Sequence, residues 1–146
     1  MSTFKFSIAG IDQWAEKSTV RSLGVARRAT RILGSRVIED APVDTGFMLS
    51  TARVRLNPSR TLSGRDRPKG FRRLDEAEVR ESKMTELRAA THAMKLKDSV
   101  GLSFIASYTK YVHEGTSKQP AQPFISRWLS SYWPSIVKRA IAGEDA

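Results

Sequence analysis

The sequence predicts an α+β fold: a small antiparallel sheet packed against a long N-terminal helix and a C-terminal amphipathic helix, with a long basic loop and an extra middle helix. Three observations predict it. Apolar residues recur at spacings of three and four over 19–41, 74–94 and 124–141, the period of a helix buried along one face. They alternate over the short stretches 4–8 and 100–104 and, less regularly, 49–56, the period of a half-buried strand. Between the second strand and the middle helix, 57–73 holds Pro58, Gly64, Pro68 and Gly70 and little apolar material, which reads as an exposed loop ordered by a partner.

Each element has its own justification. Phe4, Phe6 and Ile8 alternate with polar neighbours until Gly10 breaks the strand, and Asp12 is placed to cap the helix that follows. In that helix Leu23, Ala26, Thr30, Leu33 and Val37 fall on one face, while Arg21, Arg27, Arg28 and Arg31 lie off it as a basic outer face. Pro42 ends the helix, because proline disfavours helical geometry in the residue before it. Asp44, Thr45 and Gly46 then supply turn chemistry: aspartate bonds its own backbone two residues on, and glycine accepts positive φ. A strand over 49–56 follows.

The middle helix, 74–94, carries Met84, Leu87, Thr91 and Met94 on one face. Asp75, Glu76, Glu78 and Glu81 crowd its N-terminal turns, where the helix dipole favours negative charge. After the turn at Lys97–Ser99, Val100, Leu102 and Phe104 alternate. The last segment runs from Phe124 through Trp128, Trp133 and Ile136 to Ile141 as one apolar stripe of about five turns, opened by Pro123 and kinked or restarted by Pro134. The chain holds no internal repeat and reads as one domain over 1–146, with the basic flexible loop at about 57–73.

Composition narrows the function. The 146 residues include no cysteine, which excludes disulfides, thiolate metal sites and thiol nucleophiles. Only two histidines, His92 and His113, are present, which argues against a histidine-rich metal site, and no cofactor is expected. No apolar run reaches the roughly 20 residues of a membrane span, and the N-terminus lacks the apolar core of a secretory signal, so the expectation is a soluble cytoplasmic protein. The net charge is +10, with a pI near 10.4. Arg53, Arg55, Arg60, Arg65, Arg67, Lys69, Arg72 and Arg73 stand against one acid, Asp66, so a single window carries seven of those ten charges. Such a balance favours polyanionic surroundings.

The stretch Ala41-Pro42-Val43-Asp44-Thr45-Gly46 contains the Asp-Thr-Gly of aspartic proteases. Those enzymes need two carboxylates sharing a proton, each offered from a loop between strands. This chain has one such motif, preceded by a helix and a proline and followed by Phe47 where the protease pattern has a small residue. The motif therefore reads as a structural junction. Neither histidine sits in a nucleophile motif, and His113 reads as a surface or interface side chain. No phosphate-binding glycine pattern or metal-ligand spacing is present either.

Taken in order, four pieces resemble a family: the small neck proteins of tailed bacteriophages, the head–tail joining or tail-completion proteins. They are Ala9-Gly10-Ile11-Asp12 before the long helix, Ala41–Gly46 after it, Tyr108-Thr109-Lys110-Tyr111-Val112-His113-Glu114-Gly115-Thr116, and Gln119-Pro120-Ala121-Gln122-Pro123-Phe124-Ile125. These are similar to the family's G-hydrophobic-D, A-P-V-D-T-G, Y-x-x-Y-V-E-x-G-T and P-A-R-P-F segments. They span most of the chain. It departs from the family at His113, with Glu114 displaced by one; at Gln122 for arginine; and at Phe47-Met48-Leu49.

The resemblance implies a non-catalytic virion protein, made in the host cytoplasm and placed in the neck. It would form a closed ring of copies that joins the DNA-filled head to the tail and lets DNA pass. Its partners would be the neighbouring connector or stopper and the tail-tube or terminator proteins, and not a membrane. Tyr108, Tyr111, Val112, His113, Glu114, Phe124, Trp128 and Trp133 would serve subunit or partner contacts, and Pro42, Asp44, Thr45 and Gly46 the structural junction. The basic loop would meet DNA in the lumen or an acidic neighbouring ring. Alternative roles are a tail terminator capping the tube and a free-standing, non-specific DNA-binding protein of the nucleoid-associated kind.

Overall fold

One helix, α1 (Ile8–Asp40), runs for 33 residues, about 50 Å at 1.5 Å per residue, and its second half organises everything else. The computed structural model describes residues 8–58 and 64–146. After α1 come a short helix α2 (Phe47–Ser50), strand β1 (Ala52–Leu56), helix α3 (Glu76–Ala93), strand β2 (Val100–Phe104) and a short helix α4 (Thr109–Glu114). A π-helical segment (Arg127–Ser131) and helix α5 (Trp133–Ile141) close the chain. The expected strand at Phe4 and Phe6 lies outside the described residues. Ile8 belongs to α1, and Gly10 and Asp12 lie inside that helix rather than breaking and capping it. A glycine in a helix interior costs only about 1 kcal/mol relative to alanine, which a long helix absorbs.

The α+β architecture is as the sequence predicts. The strands β1 and β2 pair antiparallel, with Ala52 opposite Phe104 and Leu56 opposite Val100. Their inner face joins Val37 and Ile38 of α1, Leu87 of α3, and Phe47, Leu49 and Phe124 in the main core. A second, smaller cluster packs Ala29 and Ile32 of α1 on Ile136 and Ala140 of α5, and Leu33 and Trp128 touch both. So α1 is buried along two faces, not the single stripe its periodicity announces. Small residues permit this. A Cβ at Gly34 would lie 2.7 Å from a methyl of Leu87, so glycine there lets α3 approach.

Helix α3 follows its prediction closely. Asp75 caps it, accepting from the Glu78 amide at 3.0 Å, and Leu87, Thr91 and Met94 are buried. The C-terminal segment differs. Pro134 restarts a helix near its first position, as expected, but the preceding turn is π-helical. The extra residue in that turn rotates the stripe by about 100°, one residue's worth of helix. Leu129, Tyr132 and Ile141 consequently face outward, while Phe124, Ile136 and Ala140 stay buried.

Arginines tie these helices together in a way periodicity does not show. A helix C-terminus leaves carbonyls without donors and carries partial negative charge. Arg27 of α1 donates twice, at 3.0 and 2.7 Å, to the carbonyl of Met94, the C-cap of α3. Arg28 donates to the Ala140 carbonyl in the last turn of α5 at 2.9 Å. In return, Arg80 of α3 donates to the carbonyls of Ile38 and Ala41 at the end of α1. The basic outer face read on α1 is thus largely an internal fastening.

Candidate functional site

The junction after α1 is built from backbone constraints. Gly46 sits at φ 85°, a left-handed conformation that glycine adopts without strain, and a Cβ there would also come within 3.1 Å of Leu74. The Thr45 hydroxyl oxygen, rather than Asp44, accepts from a nearby amide, that of Phe47 at 3.4 Å, and the Thr45 carbonyl accepts from Leu74 at 2.8 Å. Asp44 is exposed. The junction leads into α2, not directly into a strand, because Phe47, Met48 and Leu49 are all buried and three consecutive residues cannot share one face of a strand. Thr51 then anchors the start of β1: its hydroxyl donates to the Met48 carbonyl at 2.6 Å and accepts from the Ala106 amide at 3.1 Å. No sequence signal marked Thr51.

Three of the motif-bearing stretches meet at this junction. Pro42, Asp44, Gly46 and Met48 face Tyr108, Val112, Gln119 and Gln122 across a cleft of about 380 Å³. The Tyr108 ring lies 6.3 Å from that of Phe47. Burial pushes its phenol above the usual tyrosine pKa, opposed by the Arg67 guanidinium and a backbone hydrogen bond at Met48, with Asp44 adding to the rise. Gln122 donates to the Val112 carbonyl at 3.0 Å, fastening the last segment to α4. Gly115 makes that possible. At φ 81° and ψ 171° it occupies a region essentially reserved for glycine, and a Cβ would meet the Ala121 backbone nitrogen at 2.7 Å.

The residues expected at a subunit contact separate into two groups. Tyr111 and Glu114 are exposed on α4, and Trp133 is 37% exposed. Trp133 borders an apolar groove of about 620 Å³ between α1 and α5, with Val25, Ala29, Val137 and Ile141. The others are engaged within the chain. Phe124 is core, packed edge-on against Phe104. His113 meets Phe124 edge to face, and its Nε2 accepts from the Ser126 amide at 3.3 Å, so it orders the final segment. Trp128 donates through Nε1 to Asp40 and lies beneath the Arg36 guanidinium, 5.8 Å away.

The described parts of the basic window are bonded to the rest of the fold at several points. Asn57 and Asp98 clasp its start: Asn57 Nδ2 donates to Asp98 at 2.9 Å, and the Ser99 amide to Asn57 at 2.8 Å. Arg65 exchanges backbone bonds with Ile105 and Ser107, both at 2.9 Å. Phe71 packs edge-on against Phe47 with ring centres 5.1 Å apart. The cations nevertheless point away from the core. Arg55, Arg65, Arg67, Lys69, Arg72 and Arg73 are exposed and Arg53 is half-buried, while Arg60 lies outside the described residues.

Among the described residues no group of histidine and acidic side chains could hold a metal ion, and no helix is long and apolar enough to cross a membrane. No family model, curated protein or solved structure matches the chain.

Proposed function

We propose that the chain is a structural protein of the neck of a tailed bacteriophage, one subunit of a ring that joins the DNA-filled head to the tail. The support lies in a convergence. The stretches Ala41–Gly46, Tyr108–Thr116 and Gln119–Ile125, which carry the sequence resemblance from distant positions, fold against one another around a single cleft. Each has a structural task there: a left-handed glycine turn, a short helix, and an extended segment fastened to it. Its one Asp-Thr-Gly carboxylate, Asp44, is an exposed group beside a turn, and the role we assign it is architectural, not catalytic.

A closed ring repeats one head-to-tail contact, so each subunit needs two different surfaces. Exposed Tyr111 on α4, and Trp133 with Tyr132 and Ile141 near α5, offer two such apolar areas. Neighbouring connector or stopper and tail-tube or terminator proteins would cover the ring's two ends. The site of action on this reading is the virion.

The test is electron microscopy of a lysate from the phage encoding this chain, with a stop codon in its gene. The expected result is DNA-filled heads beside separate tails of normal length. Tails of uncontrolled length would assign the chain to the terminator role instead, and intact infectious particles would overturn the neck reading.

A further inference from the structure

We propose that the outer face of the β1–β2 sheet, continued by the 64–73 stretch, is a binding surface for the phosphate backbone of duplex DNA, independent of base sequence. The proposal stands apart from the neck reading and rests on how the structure divides the chain's positive charge.

Much of that charge is spent internally. Arg27, Arg28 and Arg80 cap helices, and Arg31, Arg36 and Arg139 pair with Asp145, Glu39 and Glu144. Lys83, Arg88 and Arg127 also face carboxylates. None of the seven described cations of the basic window takes part in an ion pair among the described residues. The one acid among them, Asp66, accepts a hydrogen bond from the Ser107 hydroxyl.

These cations are placed by the fold rather than carried on a loose tether. Alternation along β1 buries Ala52 and Val54 and turns Arg53 and Arg55 to the opposite face. Their cross-strand partners, Ser103 and Gly101, are small, so the guanidinium groups stand beside a low surface. Pro58 crosses that surface, since a Cβ at Gly101 would lie 2.6 Å from its ring. The chain returns at Arg65, bonded just past the end of β2. Phe71 and Leu74, docked on Phe47 and Thr45, then hold Arg72 and Arg73 between two anchors.

What the surface lacks identifies its partner. Protein interfaces have an apolar, aromatic-rich centre. Among the described residues the exposed large apolar ones are Val20, Leu96, Tyr111, Leu129, Tyr132, Trp133 and Ile141, and none of these falls in the window. Unpaired cations without an apolar centre match phosphate contacts, which are electrostatic and indifferent to sequence.

The experiment is fluorescence anisotropy of a labelled mixed-sequence duplex titrated with the full chain over a series of NaCl concentrations. Each phosphate contact contributes about −0.9 to the slope of log K against log salt, so four to seven contacts give a slope of about −4 to −6. Replacing Arg53, Arg55, Arg72 and Arg73 with Ser should flatten the slope by about 3 to 4 and weaken binding at least roughly 100-fold at low salt. A control replaces Arg21, Lys97, Lys118 and Lys138 with Ser, removing the same charge from exposed positions elsewhere; its slope should stay within about 1 of the original. The pair Arg72→Ser/Arg73→Ser, outside the sheet, should flatten the slope by about 2 even if the fourfold variant misfolds. Equal losses in the two fourfold variants would overturn the proposal in favour of diffuse charge. Capture by polyglutamate without duplex binding would overturn it in favour of an acidic protein.

Discussion

Arg80→Met isolates the arginine caps, because methionine keeps much of the apolar stem and removes the guanidinium. In the folded chain that group donates to the carbonyls of Ile38 and Ala41 and pairs with Glu76 at 2.8 Å. Ile38 is fully buried and Ala41 nearly so, so water does not readily replace the lost donors. A hydrogen bond to a charged group contributes about 1.5–3 kcal/mol, and charge at a helix C-terminus about 0.3–1 kcal/mol. The pair with Glu76, whose carboxylate is more than half exposed, adds about 0.3–0.5 kcal/mol. The two carbonyls share one guanidinium, so their contributions overlap, and the expected loss is about 3 kcal/mol. For a chain of this size that lowers Tm by about 10 °C.

Urea denaturation followed by far-ultraviolet circular dichroism measures it, with the midpoint falling and the slope unchanged. The control is Arg88→Met, the same substitution on the same helix. Arg88 pairs with Glu81 where both side chains are mostly exposed, so its loss should stay within about 0.5 kcal/mol. If Arg80→Met costs no more than Arg88→Met, the guanidinium does not cap α1 and the account of helix fastening fails.

Gly115→Ala should cost about 1–3 kcal/mol for its backbone region alone, with more from the contact at Ala121, read as a lower urea midpoint. Asp98 accepts hydrogen bonds from the Asn57 side chain and the Lys95 amide, which hold its pKa below the usual 3.8 despite slight desolvation. Its stabilisation is therefore complete above about pH 5 and disappears as pH falls through the lowered value. The midpoint gap between the original chain and Asn57→Ala should narrow on acidification through that range, and a gap independent of pH would contradict this account. Trp128→Phe removes the Nε1 donor to Asp40 and should cost about 1 kcal/mol. A double-mutant cycle with Asp40→Asn should show the two losses coupled, and strict additivity would mean that the bond contributes nothing.

What the sequence made legible was local. The period of α3, its Asp75 cap and its buried face involve residues within a few turns of one another, and all three are found in place. The alternation over 100–104 likewise marks a strand. The features missed depend on residues far apart in the chain. Burial of Ala29 and Ile32 reflects the approach of α5, and α2 exists because Phe47–Leu49 enter a core built partly by Phe124. The junction was recognised by its composition, but only the fold shows that Tyr108, Val112 and Gln122 complete a cleft with it.

Charge shows the same division most clearly. The sequence supplies a net +10 and locates the densest window, yet α1 presents Arg21, Arg27, Arg28 and Arg31 in a similar guise. Three of those four are committed: Arg27 to Met94, Arg28 to Ala140 and Arg31 to Asp145. A guanidinium already bonded to a carbonyl in a half-buried site would have to break that bond before meeting a phosphate. An exposed, unpaired one gives up only water and counterions, and releasing counterions is itself favourable. Binding strength should therefore follow not the total but the window's seven described cations, of which only the half-buried Arg53 has a side-chain contact to a carbonyl among the described residues, a long one of 3.4 Å to Ala52. Equal numbers of positive charges removed from the two places should thus have different consequences: lost DNA affinity from the window, lost stability from α1.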